Sequence, residues 1–222
     1  MSKKIFLILS GIGLFFIFIF FSFLVHKNLF THFDFNMTVR FQDHISRRFD
    51  EVFSLLSDVG QFQVMLVVLL IVAGILFFRR KFLAATSALV LFVGFHVIEL
   101  YGKFFVNHPP PPHFLLRTKQ LIDFPQFYVR SEFSYPSGHA GRAAFLSTFL
   151  LIIVLSNKKF SPRFKAMLAA LIIGYDLVMC ISRIYLGEHW SSDVIGGTIL
   201  GTALGLVSGS FLLGNHQKKP SV

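Results

Sequence analysis

The sequence contains a single cysteine, Cys180, in 222 residues, so the chain can form no intrachain disulfide. Cys180 lies inside an apolar segment and is expected to pack as a small hydrophobic side chain. Charged residues are also scarce, at 14% of the chain, whereas apolar residues make up 54% and include 30 phenylalanines. The mean hydropathy of +0.67 exceeds what a soluble core needs. The composition therefore predicts a protein whose solvent is the lipid bilayer.

Acidic residues are the scarcer of the two charge types. Eleven Asp and Glu stand against 21 Lys and Arg, which gives a formal net charge of +10. Nucleic-acid-binding proteins carry such an excess on one polar face. Here the basic residues are scattered among long apolar runs. We therefore expect no nucleic-acid partner and attribute the charge to membrane topology. The sequence identifies no protein partner.

Six long apolar stretches are separated by polar or basic segments, and each is about as long as a membrane-spanning helix. The predicted spans are about 5–25, 62–78, 82–105, 139–156, 167–186 and 191–213. The first span follows Lys3 and Lys4, and no small-residue cleavage site comes after it. We therefore expect a retained span and not a signal peptide. The predicted fold is a single all-α polytopic membrane domain over residues 1–222.

Residues 26–61 are mixed in character and follow the first predicted span. Apolar side chains recur there every four residues with charges between them: Phe33, Met37, Phe41, Ile45, Phe49 and Phe53. This stripe predicts an amphipathic helix. We expect that helix to lie in the membrane interface or to pack against the bundle.

Six spans would place both termini on one side of the membrane. Eleven of the 21 basic residues fall on that side, and no Asp or Glu lies in the same segments, which are Lys3–Lys4, 79–81, 158–165 and Lys218–Lys219. The positive-inside rule makes this side cytoplasmic. We therefore expect a multi-pass protein of the cell membrane. Its long Pro-rich loop and the turns around residues 139 and 189 would lie on the outer face.

Four glycines recur every four residues along the last predicted span: Gly197, Gly201, Gly205 and Gly209. Small residues at this spacing let two helix backbones approach closely. We interpret the ridge as a helix-packing surface and not as part of a catalytic site.

Polar residues of a reactive type interrupt the apolar sequence at two places. Arg183, His189 and Asp193 lie in one stretch, and the spacing of four between the last two places them on one face of a helix. The second place is Pro136-Ser137-Gly138-His139, a turn whose backbone amides could face an anion. Two histidines, a carboxylate and an arginine together indicate phosphoryl chemistry.

These residues resemble the motifs of the type 2 phosphatidic acid phosphatase (PAP2) superfamily of membrane lipid phosphatases. The family motif Pro-Ser-Gly-His is complete at 136–139, and Ser-Arg-x5-His-x3-Asp is complete at 182–193. The first family motif, Lys-x6-Arg-Pro, begins at Lys103, but its arginine position is occupied by Pro110. The resemblance covers most of the chain and implies a membrane phosphatase that lacks one of the usual cationic phosphate ligands.

The chemistry of the residues supports the same roles. His189 would attack phosphorus through one ring nitrogen, while Asp193 accepts a hydrogen bond from the other and stabilises the developing cation. His139 would protonate the leaving oxygen and then accept a proton from the water that hydrolyses the phosphohistidine.

Further residues would bind the phosphoryl oxygens. Lys103 and Arg183 are the expected cationic ligands, and amides near Ser137 and Gly138 are the expected neutral donors. This scheme requires no metal and no cofactor. Within the family resemblance, the matched positions carry the same roles.

Arg142 is a candidate replacement for the missing arginine, because it lies three residues after His139 and would share its helix face. Its alternative is a snorkelling interfacial side chain. Arg117 and Arg130 are less constrained candidates. Two further expectations are that Glu99 pairs with Lys103 four residues on and that Glu188 is solvated.

Asp176 is a mid-span carboxyl that we interpret as a structural hydrogen-bonding group and do not include in the site.

The sequence thus predicts a phosphatase that acts on a membrane lipid phosphate or diphosphate. The family resemblance suggests undecaprenyl diphosphate, phosphatidylglycerol phosphate or phosphatidic acid as the substrate. Two alternatives remain open at this point: a lipid phosphotransferase that uses the same intermediate, and a catalytically weak lipid-binding membrane protein, which Pro110 motivates. A vanadium haloperoxidase shares the motifs, but six predicted spans argue against it.

Overall fold

The computed structural model describes residues 1–119 and 133–213, and within those ranges the protein is helical and contains no strand. Arg130 and the pair Lys218–Lys219 lie outside the described residues. The eight α-helices are α1 (Lys3–His26), α2 (Thr31–His44), α3 (Asp50–Val59), α4 (Phe62–Phe78), α5 (Phe82–Phe105), α6 (Gly138–Ser156), α7 (Pro162–Tyr185) and α8 (Ser191–Ser210). Two single-turn 3₁₀ helices, Arg47–Phe49 and His113–Leu115, connect them. The predicted all-α class is confirmed.

Five of these helices are long and apolar enough to cross a membrane: α1, α5, α6, α7 and α8. Helix α4 has 17 residues and forms, with residues 47–59, an apolar pair bent by 49°. The chain is therefore a multi-span membrane protein with five or six candidate spans. The predicted number of six and its orientation in the membrane stay predictions.

The boundaries of the predicted spans shift at one helix start and one helix end. Helix α7 begins at Pro162 and not near residue 167, because the Ser161 side chain caps it by accepting a hydrogen bond from the Phe164 amide. Helix α8 ends at Ser210, three residues before the predicted end.

The prediction of one amphipathic helix in residues 26–61 is wrong, because the chain is extended at Ile45 and Ser46 and α2 and α3 are separate helices. Both helices bury polar side chains against the bundle, including Asp34 on α2 and Asp58 on α3. Apolar side chains such as Phe33 and Leu55 are exposed.

The residues of the stripe have different surroundings, since Phe33 and Phe49 are exposed and the other four are half-buried. Phe41 packs against a buried cluster that includes Ile184, and the Phe53 ring contacts the Tyr185 ring at 5.0 Å. The position of these helices in the membrane interface stays a prediction.

Helices α6 and α8 form the centre of the bundle and pack through the predicted glycine ridge. A Cβ atom added at Gly197 would lie 2.3 Å from the Ser137 carbonyl oxygen, and one added at Gly201 would lie 2.1 Å from the Gly141 carbonyl oxygen. Side chains cannot fit at these positions, so the two backbones touch. This contact confirms the packing interpretation and fixes the start of α6 against the start of α8.

Candidate active site

The turn between α7 and α8 folds back onto the end of α7. The amides of Glu188 and His189 both donate to the Arg183 carbonyl oxygen, at 3.2 and 3.3 Å. Gly187 has a φ of +69°, and a Cβ there would lie 2.2 Å from the Leu115 carbonyl oxygen, so this position requires glycine. The turn therefore places the His189 ring beside the last turn of α7, which carries Arg183.

His189 and Asp193 form the predicted pair, with His189 Nδ1 3.2 Å from Asp193 Oδ2. The same carboxylate oxygen accepts the Trp190 amide at 3.0 Å, because Asp193 stands in the first turn of α8. Asp193 accepts a hydrogen bond from Nδ1–H, which leaves Nε2 as the nitrogen with a free lone pair. Burial, followed by the charge of Arg183, holds the pKa of His189 well below its ordinary value. The imidazole is therefore neutral and able to act as a nucleophile.

His139 lies in the first turn of α6 and is brought to the same place. Ser137 caps the helix through its hydroxyl, which accepts the Ala140 amide at 3.5 Å. The Ser137 amide donates to the Asp193 carbonyl oxygen at 3.0 Å, so a hydrogen bond joins the motif at 136–139 to the motif at 182–193. Positive charge from Arg183 and Arg142 acts on His139, as does that of Lys103. The two sequence motifs thus share one polar site.

Arg183 is 1% exposed and is held by two side chains. One terminal nitrogen donates to Ser57 Oγ, and the other forms an ion pair with the Glu188 carboxylate. Its Nε has no hydrogen-bond partner among the residues that the structure describes. A buried guanidinium with one N–H donor that has no partner is suited to bind an oxyanion.

Lys103 and Arg142 are joined by one buried carboxylate, that of Glu99. Lys103 Nζ lies 3.0 Å from Glu99 Oε1, and Arg142 Nη1 lies 3.4 Å from Glu99 Oε2. Arg142 Nε also donates to the Gly60 carbonyl oxygen at 3.3 Å. A Cβ at Gly138 would lie 2.0 Å from Glu99 Oε1, so the glycine of Pro-Ser-Gly-His leaves room for the carboxylate. Arg142 is a buried, paired side chain of the site and does not snorkel.

The sequence missed the contribution of α3, whose buried side chains include Ser57 and Asp58. Ser57 contacts Arg183, and the charge of Asp58 also acts on Arg183. The signal was the run of polar residues at 50, 54, 57 and 58, a helical spacing that lines one face.

Glu188 is also different from the expectation. It was predicted to be solvated, but it pairs with Arg183 and accepts a hydrogen bond from the Thr118 hydroxyl at 2.5 Å. The signal for this pair was weak, because five residues separate the two along a turn whose conformation the sequence does not reveal.

Two other expected residues lie apart from these contacts. Arg117 donates to the Gln42 carbonyl oxygen at 3.1 Å and stacks over Tyr185, so it attaches the loop after α5 to α2 and α7. Asp176 accepts a hydrogen bond from Ser147 Oγ at 2.9 Å, which confirms its structural role. Arg130 cannot be placed, since it lies outside the described residues. Across residues 1–119 and 133–213 no group of three or more His, Cys, Asp or Glu has metal-binding geometry.

Known proteins are similar to this chain in sequence and in fold. The chain is 26% identical to phosphatidylglycerophosphatase B of Bacillus subtilis over 155 residues, which cover 70% of this chain and 71% of that protein. It is 28% identical to undecaprenyl-diphosphatase of Sulfolobus acidocaldarius over 138 residues, which cover 62% of this chain and 60% of that protein. The fold matches the crystal structure of a transmembrane PAP2-type phosphatidylglycerolphosphate phosphatase from Bacillus subtilis with a TM-score of 0.71 and 24% identity, over 90% of this chain and 94% of that one.

The family comparison agrees with the motifs. Residues 64–216 match the PAP2 superfamily, a range that includes Lys103, Pro-Ser-Gly-His and the His189–Asp193 pair. This match confirms the predicted family and the predicted phosphatase class. With more than half of its length matched, the chain belongs to the PAP2 superfamily.

Proposed function

We propose that this protein hydrolyses the phosphate of a membrane lipid phosphate or diphosphate through a phosphohistidine on His189. The observation that carries the proposal is the buried His189–Asp193 pair, 3.2 Å apart, beside an Arg183 whose Nε has no partner among the described residues. A neutral nucleophile beside a buried guanidinium with an unused N–H donor supplies two of the three requirements of phosphoryl transfer to nitrogen, and the third is an acid for the leaving oxygen.

The reaction takes two steps. His189 Nε2 attacks phosphorus, the bond from phosphorus to the lipid oxygen breaks, and protonated His139 gives its proton to the departing oxygen. Asp193 stabilises the positive charge that develops on the imidazole. Water then attacks the phosphohistidine, His139 takes a proton from that water, and the bond between phosphorus and His189 breaks. The products are the dephosphorylated lipid and inorganic phosphate, and His139 is again protonated.

The phosphoryl oxygens need donors that are already in place before the reaction. Arg183 and Lys103 supply positive charge, and the amides near Ser137 and Gly138 supply neutral donors at the start of α6. Arg142 supplies the third cation in place of the arginine missing at position 110, since Glu99 holds it in the same charge group as Lys103. No metal and no cofactor enter this scheme.

The membrane fold explains why the substrate is a lipid. A lipid can enter sideways between helices while its head group reaches the polar site, whereas a water-soluble phosphate ester needs no such scaffold. The names of the relatives favour phosphatidylglycerol phosphate and undecaprenyl diphosphate, and the family resemblance adds phosphatidic acid. The distribution of basic residues supports a site on the outer face of the cell membrane with both termini in the cytoplasm.

Phosphate release by the purified protein tests the proposal. We expect phosphate from at least one of these three lipids, inhibition by vanadate, and loss of release in His189→Ala. Product analysis is part of the assay, because a phosphorylated acceptor in place of free phosphate would indicate a phosphotransferase. Full activity in His189→Ala would refute the phosphohistidine. Lipid binding without turnover in the wild type would show a binding protein.

A further inference from the structure

A third histidine lies behind the His189–Asp193 pair. His108 is 4% exposed, and its Nε2 lies 3.5 Å from Asp193 Oδ1. It also lies 3.6 Å from Asp34 Oδ2 and 3.1 Å from Ser192 Oγ. The two oxygens of Asp193 thus face different histidines, since Oδ2 faces His189. Neither His108 nor Asp34 belongs to the motif residues that identify the family.

The surrounding contacts hold this histidine in place. The His108 carbonyl oxygen accepts both the amide and the hydroxyl of Ser134, at 3.0 and 3.1 Å. The next residue is tied to α8, because Trp190 Nε1 donates to the Pro109 carbonyl oxygen at 2.8 Å. The loop after α5 is therefore attached to the start of α6 and to the start of α8. The same two helix starts carry His139 and Asp193.

Asp34 is fixed from the other side of the cluster. It is 1% exposed, and its two oxygens accept the Ser192 amide at 2.8 Å and the Ser192 hydroxyl at 2.7 Å. Because the Ser192 hydroxyl donates to Asp34, the same oxygen can only accept from His108 Nε2. The proton of His108 is thus on Nε2, where it points among Asp34, Asp193 and Ser192.

Two buried carboxylates, those of Asp34 and Asp193, lie close to this one imidazole, and burial shifts the pKa values of Asp34 and His108. Burial raises the pKa of Asp34 to about 6, and burial also lowers the pKa of His108 against the opposing charge of Asp193. A cavity of about 660 Å³, lined by Asp34, His108 and Trp190, gives the cluster a path to exchange protons. Of the other titratable groups, His32 lines the same cavity, His189 contacts Asp193, and Lys103 and Tyr135 interact electrostatically with Asp193.

We propose that His108 and Asp34 are positioning residues, which hold the Asp193 carboxylate in the orientation that the nucleophile His189 requires. This role rests on the phosphohistidine chemistry proposed above. His108 Nε2 donates to Ser192 Oγ and lies 3.5 Å from Asp193 Oδ1, which has no hydrogen-bond partner among the described residues. The dipole of this N–H favours the orientation of the carboxylate in which Oδ2 faces His189 Nδ1. Asp34 in turn accepts the Ser192 hydroxyl and lies 3.6 Å from His108 Nε2, which holds the ring in place. Neither residue touches the phosphate.

Four variants test the proposal: His108→Ala, His108→Gln, Asp34→Asn and, as a matched control, His113→Ala. His113 is an exposed histidine in the same loop. For each folded variant, kcat and KM are measured between pH 5 and pH 8 with the lipid that the wild type hydrolyses fastest. We expect His108→Ala to lower kcat about tenfold with little change in KM, the size of effect seen when an outer partner of a metal-bound histidine is removed. His113→Ala should match the wild type.

The shape of the pH profile separates positioning from a structural role. The group of this cluster expected to titrate near pH 6 is Asp34. His108→Gln keeps an N–H donor but cannot ionise, so it should retain most of kcat and shift the inflection that Asp34 produces. Asp34→Asn should lose the same inflection, because the group that titrates there is gone. Wild-type kcat and pH profile in His108→Ala would overturn the proposal. If that variant does not fold, profiles of His108→Gln and Asp34→Asn that superimpose on the wild type would overturn it.

A second readout does not depend on turnover. The titration of His189, followed by NMR of the protein with ¹³C-labelled histidine, should shift in His108→Gln and Asp34→Asn and not in His113→Ala. An unchanged titration in the first two variants would overturn the positioning role. If the wild type releases no phosphate from any lipid, the proposed function fails, and this titration still decides the role of His108.

Discussion

The substitution Gly201→Ala should separate α6 from α8 and disturb the active site that their ends form. The added Cβ would lie 2.1 Å from the Gly141 carbonyl oxygen and 2.9 Å from the Phe145 amide nitrogen, both backbone atoms that no side-chain rotation can move. Ordinary contact begins near 3.4 Å, so the backbones must move apart by about 1 Å. Overpacking of this kind costs about 1–3 kcal/mol. Alanine returns at most about 1 kcal/mol as the better helix former.

The expected net loss is about 1–2 kcal/mol, which lowers the Tm of a chain of this size by about 2–8 °C. The starts of the two helices carry His139 and Asp193, and a misplacement of about 1 Å can reduce the rate about a hundredfold. We therefore expect Gly201→Ala to lower both the Tm in detergent and the rate of phosphate release. Both are measured on the same purified sample.

Two other glycines provide matched controls. A Cβ at Gly174 on α7 would meet nothing within 4 Å among the described residues, so Gly174→Ala should leave the Tm unchanged or slightly higher. At Gly209 the Cβ would meet Ile152 Cδ1 at 2.2 Å, which is the movable end of a side chain, and the cost should be smaller than at Gly201. Equal Tm values and rates for Gly201→Ala and Gly174→Ala would refute the close contact between α6 and α8.

Two further outcomes concern the phosphate site and its pH dependence. Arg142→Ala should lower kcat/KM about a hundredfold, because a charge-assisted ligand of the phosphate is worth about 1.5–3 kcal/mol. The control Arg117→Ala should have a slight effect. Equal, slight losses in both variants would contradict the role of Arg142. Since the pKa of His189 is depressed, its ring should stay neutral as the pH falls through the ordinary value of 6.5, which an NMR titration of the labelled ring measures. Half protonation of His189 at pH 6.5 would indicate an ordinary histidine.

Local sequence patterns predicted a large part of the fold and of the site. Long apolar runs lack any alternative to helices in a bilayer, so the helices containing residues 62–78 and 82–105 have the predicted bounds. The spacing of four between His189 and Asp193 predicted their contact, and the same spacing predicted the pair of Glu99 with Lys103 at 3.0 Å. These interactions are local, so the intervening chain alone determines them.

The errors occurred where a face of a helix had two possible partners. The stripe from Phe33 to Phe53 was read as one helix that lies in the membrane interface or packs against the bundle, but α2 and α3 are separate helices and each buries polar side chains. In a membrane protein an apolar face can be satisfied by lipid, so amphipathic periodicity does not tell which side meets the protein. Glu188 was also misjudged, because only the folded turn shows that Arg183 is next to it.

The sequence by itself determined the helical class, the phosphoryl chemistry and the residues of the two intact motifs, because these depend on residue type and on spacing within one turn or one helix. Only the tertiary structure decided which distant residues complete the site. Ser57 reaches Arg183, Arg142 shares Glu99 with Lys103, and His108 stands behind Asp193. Such contacts depend on how closely α6 and α8 approach and on where the loop after α5 is attached. Those distances are set by packing between segments that are far apart in the chain.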